Sequence, residues 1–178
     1  IMYEFLVKTK SVINKVLAAL CTILLVFMTF LVIWQVFTRY VLNDPASFTE
    51  ELVRYSLIWT GFVGAAYAFS SREHMALTFL RDKLEPNKKR LVTIGVDALI
   101  LIFAFAILFV GGAKLAFAAS MEYSALLGVP RSLVYAMAPV SGLFIVIIQI
   151  INIYEDYTGV SLSVENTGKQ NENSDSKN

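Results

Sequence analysis

A chain of 178 residues that is 57% hydrophobic and 16% charged is too apolar for an ordinary water-soluble domain and has the composition of a membrane protein. Its formal net charge of +1, with no long basic block, excludes the electrostatic footprint of a nucleic-acid binder. With Cys21 as the single cysteine and His74 as the single histidine, an internal disulfide is excluded, and a Cys/His metal cluster or thiol–imidazole pair would need ligands from another chain.

Residues 1–15 carry Lys8, Lys10 and Lys15 and read as a basic N-terminal segment. The first apolar run follows over residues 16–38, free of charge until Arg39, with Trp34, Phe37 and Tyr40 near its end as an interfacial aromatic belt requires. It has no small-residue cleavage site and reads as a retained transmembrane helix. Gln35, in its last third, is a polar amide in hydrocarbon and is expected to bond across helices rather than reach the interface.

Asn43, Asp44 and Pro45 supply a turn. The second span is placed at residues 51–71. Its charge-free part, residues 55–71, covers roughly 25 Å at 1.5 Å per residue, slightly short of a bilayer core, so the helix must start near Arg54. Ser47 and Glu50 have capping-box spacing. Arg54 follows Glu50 at i+4 and Glu51 at i+3 and can pair with either acid, which lowers the cost of charge at the membrane surface. Two readings stay open: the cluster simply starts a helix, or the second acid and the arginine offer hydrogen bonds to a neighbouring subunit. Gly61 with Ala65, and Gly64 with Ala68, form smooth strips for close helix approach, expected to be used for packing within the chain.

The segment between the second and third spans repeats Leu77, Leu80 and Leu84 among basic residues, and reads either as a short interfacial amphipathic helix or as a solvated loop. The third span, residues 91–119, contains Asp97 and Lys114, each expected near an opposite interface. The fourth, residues 132–154, contains Pro139, whose missing N–H should kink it. Residues 155–178 have the composition of a disordered polar tail. Counting lysines and arginines on either side of this four-span arrangement puts both termini and the central loop in the cytoplasm.

No carboxylate occurs within the core of the first, second or fourth span, which argues against a carrier acting alone. Phosphate-binding glycine loops, nucleophile elbows and metal-ligand spacings are absent, so no enzyme and no cofactor are expected.

The stretch "QVFTRYVLNDPASFTEELVRYSLIWTGFVGAAYAFSSREHMAL", followed by "SALLGVPRSLVYAMAPVSG", resembles the small membrane subunit of tripartite ATP-independent periplasmic (TRAP) transporters, the DctQ-like family. The likeness covers all four spans and rests on Arg39-Tyr40, Glu50-Glu51 with Arg54, Trp59, Gly64-Ala65-Ala66, His74, and the segment from Pro130 through Tyr135 to Pro139. Two positions depart from the family pattern: Phe48 stands where tryptophan is usual, and Thr78 where an acid follows the histidine.

The resemblance implies an all-α inner-membrane protein with four transmembrane helices. It would act as the scaffold of a sodium-driven importer of organic acids, beside a large transport subunit and a periplasmic substrate-binding protein. In that setting Glu50, Glu51 and Arg54 would contact the large subunit. The alternatives are a four-span homodimeric carrier and a membrane anchor for another complex.

Overall fold

The computed structural model describes residues 2–71, 83 and 85–158. His74, most of the proposed interfacial helix and the polar tail from residue 159 onward lie outside the described residues.

Helix α1 (Met2–Tyr40) is 39 residues long, about 58 Å, and so exceeds a hydrocarbon core of about 30 Å. It runs without a break through the boundary drawn at residue 15, because Lys10, Ile13 and Leu17 continue one buried stripe at helical spacing. Asn43, in the left-handed region at φ 53°, turns the chain after it; asparagine tolerates that conformation where most residues do not.

Helix α2 (Ser47–Ser71) begins at Ser47 itself. The carbonyl of Ala46 accepts from the Thr49 N–H at 3.1 Å and from the Thr49 hydroxyl at 2.6 Å. With the first turn closed one residue early, Ser47 is a helical residue, and Glu50 lies 3.9 Å from Arg54 instead of completing a capping box.

Helix α3 (Pro86–Phe103) starts five residues before the expected boundary, with Pro86 at its first turn, where a fixed φ suits a helix and no N–H is missed. Eight residues of π-helix follow (Ala104–Gly111), then α4 (Gly112–Ala118) and a 3-10 turn (Ala119–Met121). These pieces form one continuous third rod.

The fourth rod is divided into α5 (Arg131–Tyr135) and α6 (Met137–Thr158). Pro139 has no N–H for the Tyr135 carbonyl, and the next bond, Val140 N–H to Ala136, is stretched to 3.4 Å. The kink expected from Pro139 is therefore an interruption one turn before it.

The rods stand in a row, in the order first, second, fourth, third. Among the described residues α1 pairs with α2 along its length and meets α6 locally, α2 pairs with α6, and the third rod packs on the fourth but approaches neither α1 nor α2 through regular elements. The core is narrow: Ile13 and Leu17 meet Val63 and Ala66 on one side of the seam and Ile145 and Ile148 on the other. A row leaves both broad faces uncovered, which explains why large apolar side chains such as Phe30, Ile33, Leu99 and Ile102 are exposed along whole helices.

Three rods are long and apolar enough to cross a membrane: Glu4–Tyr40, Asn87–Met121 and Arg131–Thr158. Helix α2 has the length, 25 residues, but carries Ser56, Thr60, Ser70 and Ser71. Its place between α1 and α6 hides Ser56 and Ser70, and Thr60 and Ser71 return their hydroxyls to their own helix's carbonyls. The lower hydropathy of α2 thus follows from its sheltered position.

Candidate functional site

The sequence-predicted acids of α2 separate into two structures. Glu50 and Arg54 form an exposed pair at 3.9 Å, with side chains 66% and 68% accessible. Leu57, Gly61 and Ala65 continue the same stripe at helical spacing and are also exposed. A side chain at Gly61 would meet nothing within 4 Å. The stripe is therefore a smooth, open strip headed by an ion pair, and the described residues do not fill it.

Gly64 lies on a different side. A Cβ there would come 4.0 Å from Cys21 Sγ, so this glycine belongs to the seam between α1 and α2. Of the two small-residue strips, the one with Gly64 is used within the chain, whereas the one with Gly61 and Ala65 is left free.

Glu51 turns the other way. Its Oε1 accepts from the Tyr55 hydroxyl at 2.6 Å. Its Oε2 is buried against the loop between the third and fourth rods. There the Ser124 hydroxyl and the N–H groups of Leu126 and Leu127 face the carboxylate, although none closes a hydrogen bond of good geometry to Oε2. Arg54 does not pair with this acid. The surplus negative charge seen in the sequence thus has an internal use, as a latch between α2 and a loop some seventy residues farther along.

That loop is built to be rigid. Ser124 N–H donates to the Val129 carbonyl at 2.8 Å, Gly128 N–H to Ser124 at 3.2 Å, and Leu127 N–H to Ser124 Oγ at 3.1 Å. Gly128 sits at φ +65°, a conformation that a side chain would strain. Arg131 closes the base, its N–H on the Glu122 carbonyl at 2.8 Å and its guanidinium on Glu122 Oε2 at 3.0 Å. Pro130 bridges to Tyr123, and Tyr135 ends α5, half-buried.

The remaining candidates are scattered. Among the described residues Gln35 makes no side-chain bond to another helix; its carbonyl accepts from Thr38 Oγ1 at 3.0 Å. The interhelical bond expected of it is not formed among the described residues; Gln35 is half-buried, while Trp34, Val36 and Phe37 around it are exposed. Arg39 is exposed at the end of α1, and Trp59 packs against the core. Pro139 lies against Gly112, where a Cβ would stand 3.1 Å from the proline Cδ. Asp97, expected at an interface, is 5% exposed within the bundle, whereas Lys114 is exposed.

Sequence reasoning missed a second polar group at the opposite end of the helices, formed by Lys10, Gln149, Asn152 and Glu155, all buried. The signal was present in the i, i+3, i+6 spacing of the three α6 residues and in the alignment of Lys10 with the apolar stripe of α1. Among the described residues, no group of three or more histidine, cysteine or acidic side chains could hold a metal ion.

The profile of the DctQ component of tripartite ATP-independent periplasmic transporters matches residues 28–159. The chain is 33% identical, over 75% of its length and 82% of the relative's, to a Haemophilus influenzae protein that carries the name of a TRAP transporter small permease protein. It is 32% identical, over 86% of its length and 90% of the relative's, to the sialic acid TRAP transporter small permease protein SiaQ of Vibrio cholerae. A third likeness, 30% over 62% of this chain, covers 18% of the sialic acid TRAP transporter permease protein SiaT of Haemophilus influenzae. These relatives are transporter subunits rather than enzymes. With three rods long and apolar enough to cross a membrane and a family match over most of its length, the chain is an inner-membrane protein that belongs to the DctQ component family of the tripartite ATP-independent periplasmic transporters.

Proposed function

We propose that this chain is the scaffold subunit of a sodium-driven importer of organic acids. In this reading all four rods cross the membrane, α2 included, and both chain ends face the cytoplasm as the distribution of basic residues directs. A large permease carries the substrate and the coupling ion, and a periplasmic protein delivers the substrate. Sialic acid is the substrate named for two of the relatives and belongs to the class proposed here.

The observation that carries the reading is the open stripe of α2. A row of helices with broad uncovered faces is an extension of another membrane protein's wall rather than an enclosed path for solute. Within that row, Glu50, Arg54, Leu57, Gly61 and Ala65 offer a strip on which a foreign helix can lie closely, with an ion pair at its head to orient it. The likeness of this chain to 18% of SiaT supports the same view, since a small-subunit sequence there forms part of a much longer permease chain.

The test is reconstitution. Liposomes holding this chain alone should take up no organic acid, whereas addition of the large permease and the binding protein should give sodium-dependent uptake. Uptake by the isolated chain would overturn the scaffold reading.

A further inference from the structure

Helix α2 stands between α1 and α6 along most of their length, yet these two helices meet where α1 begins and α6 finishes. They meet through directed polar bonds. Lys10 Nζ donates to Asn152 Oδ1 and to Glu155 Oε2, each at 2.9 Å. Asn152 Nδ2 in turn donates to Gln149 Oε1 at 3.2 Å. Exposure is 7% for Lys10, 1% for Gln149, 1% for Asn152 and 5% for Glu155, so the group is withdrawn from water.

Stability alone does not explain such a group. Desolvation of two charges offsets most of their attraction, and apolar side chains of similar size hold buried space equally well. Position is what directed bonds add. Much of the seam between α1 and the rest of the row is apolar or small, with Ile13, Leu17, Cys21 and Leu24 near Val63, Ala66 and Gly64. In lipid such surfaces associate by packing, which specifies axial register weakly. A buried polar residue at a packing position accepts one register and rejects its neighbours.

We infer that Lys10, Asn152 and Glu155 form a register pin that fixes α1 against α6, and that Lys10 is thereby a positioning residue for the face presented to the large permease. The pin stands on its own geometry; the positioning step rests on the docking reading given above.

The experiment uses the full chain with Cys21→Ser, spin-labelled at Lys8 and Tyr157, which are exposed at the pinned end of α1 and α6. The parent should give a single inter-label distance by pulsed electron paramagnetic resonance. Lys10→Met with Glu155→Leu should keep the parent's melting temperature but add a second population displaced by about 5 Å, one helical turn. The exchanged pair, Lys10→Glu with Glu155→Lys, should restore the single population. A single unchanged distance in the apolar double variant overturns the pin, and so does failure of the exchanged pair to restore it.

Recovery of co-expressed large permease is measured on the same variants. It should fall at least severalfold for the apolar pair and return with the exchanged pair. A displaced label distance with full recovery overturns the positioning step and leaves the pin standing. Full recovery with Arg54→Glu at an unchanged label distance would overturn the docking reading alone.

Discussion

Gly142 lies so close to Leu108 that a Cβ built on it would stand 2.8 Å from the Leu108 Cβ and 2.9 Å from the Phe109 backbone nitrogen. The fourth rod here touches the π-helical part of the third, backbone against backbone. Both partners are main chain or the root of a side chain, so neither can swing aside. Gly142→Ala should therefore destabilise the isolated chain by about 1–3 kcal/mol, as overpacking does. Thermal unfolding in mild detergent checks this, and an unchanged midpoint would mean that the crossing is looser than described.

Gly61 makes the opposite prediction. With open space around it, Gly61→Leu should leave the unfolding midpoint unchanged or slightly raised, because leucine favours a helix over glycine by roughly 0.5–1 kcal/mol. The same substitution fills the strip proposed for the large permease. Co-purification should fall while stability does not, a separation that a residue packed within the chain would not show.

For Arg54→Glu the expected loss of stability is small, within about 1 kcal/mol, since an exposed i,i+4 pair contributes little and its reversal costs little more. Recovery of the large permease should drop severalfold, and a Glu50→Arg change in the same chain should restore part of it. Full recovery with the single variant would remove the ion pair from the interface.

Glu51→Gln tests the latch. The carboxylate faces the Ser124 hydroxyl and the N–H groups of Leu126 and Leu127, and a neutral amide holds them less firmly. Hydrogen exchange at Leu126 and Leu127 should quicken roughly threefold to tenfold, with the core of α6 unaffected. Equal exchange in both proteins would show that the loop's own bonds are sufficient.

The sequence made the helical rods readable because charge-free runs of about twenty residues leave few alternatives in a bilayer. It also located the turn at Asn43 and the proline break. Lateral order was not readable, since a helix that is apolar all round does not declare its neighbours. Within the charged cluster the i+4 spacing of Glu50 and Arg54 was readable and the pair forms, but Glu51 points to a loop far away in the chain, which no local spacing reveals. Lys10 was hidden for a related reason. It stands among lysines that read as a basic segment, and its place on the stripe of Ile13 and Leu17, together with its partners on α6, distinguishes it from Lys8 and Lys15.

The lateral order has a consequence for how the protein is made. The first and second rods are an antiparallel hairpin, the third and fourth are another, and among the described residues the two join where α2 meets α5 and α6, where Glu51 faces the loop at Ser124, and where α1 reaches the end of α6. As the chain leaves the ribosome, the leading hairpin can enter the bilayer complete before the trailing one exists. The third rod, by contrast, must wait for the fourth to find any neighbour of its own. On the proposed four-span reading this order allows assembly by pairs, closed when Glu155, among the last residues of α6 to be made, reaches Lys10, among the first of α1.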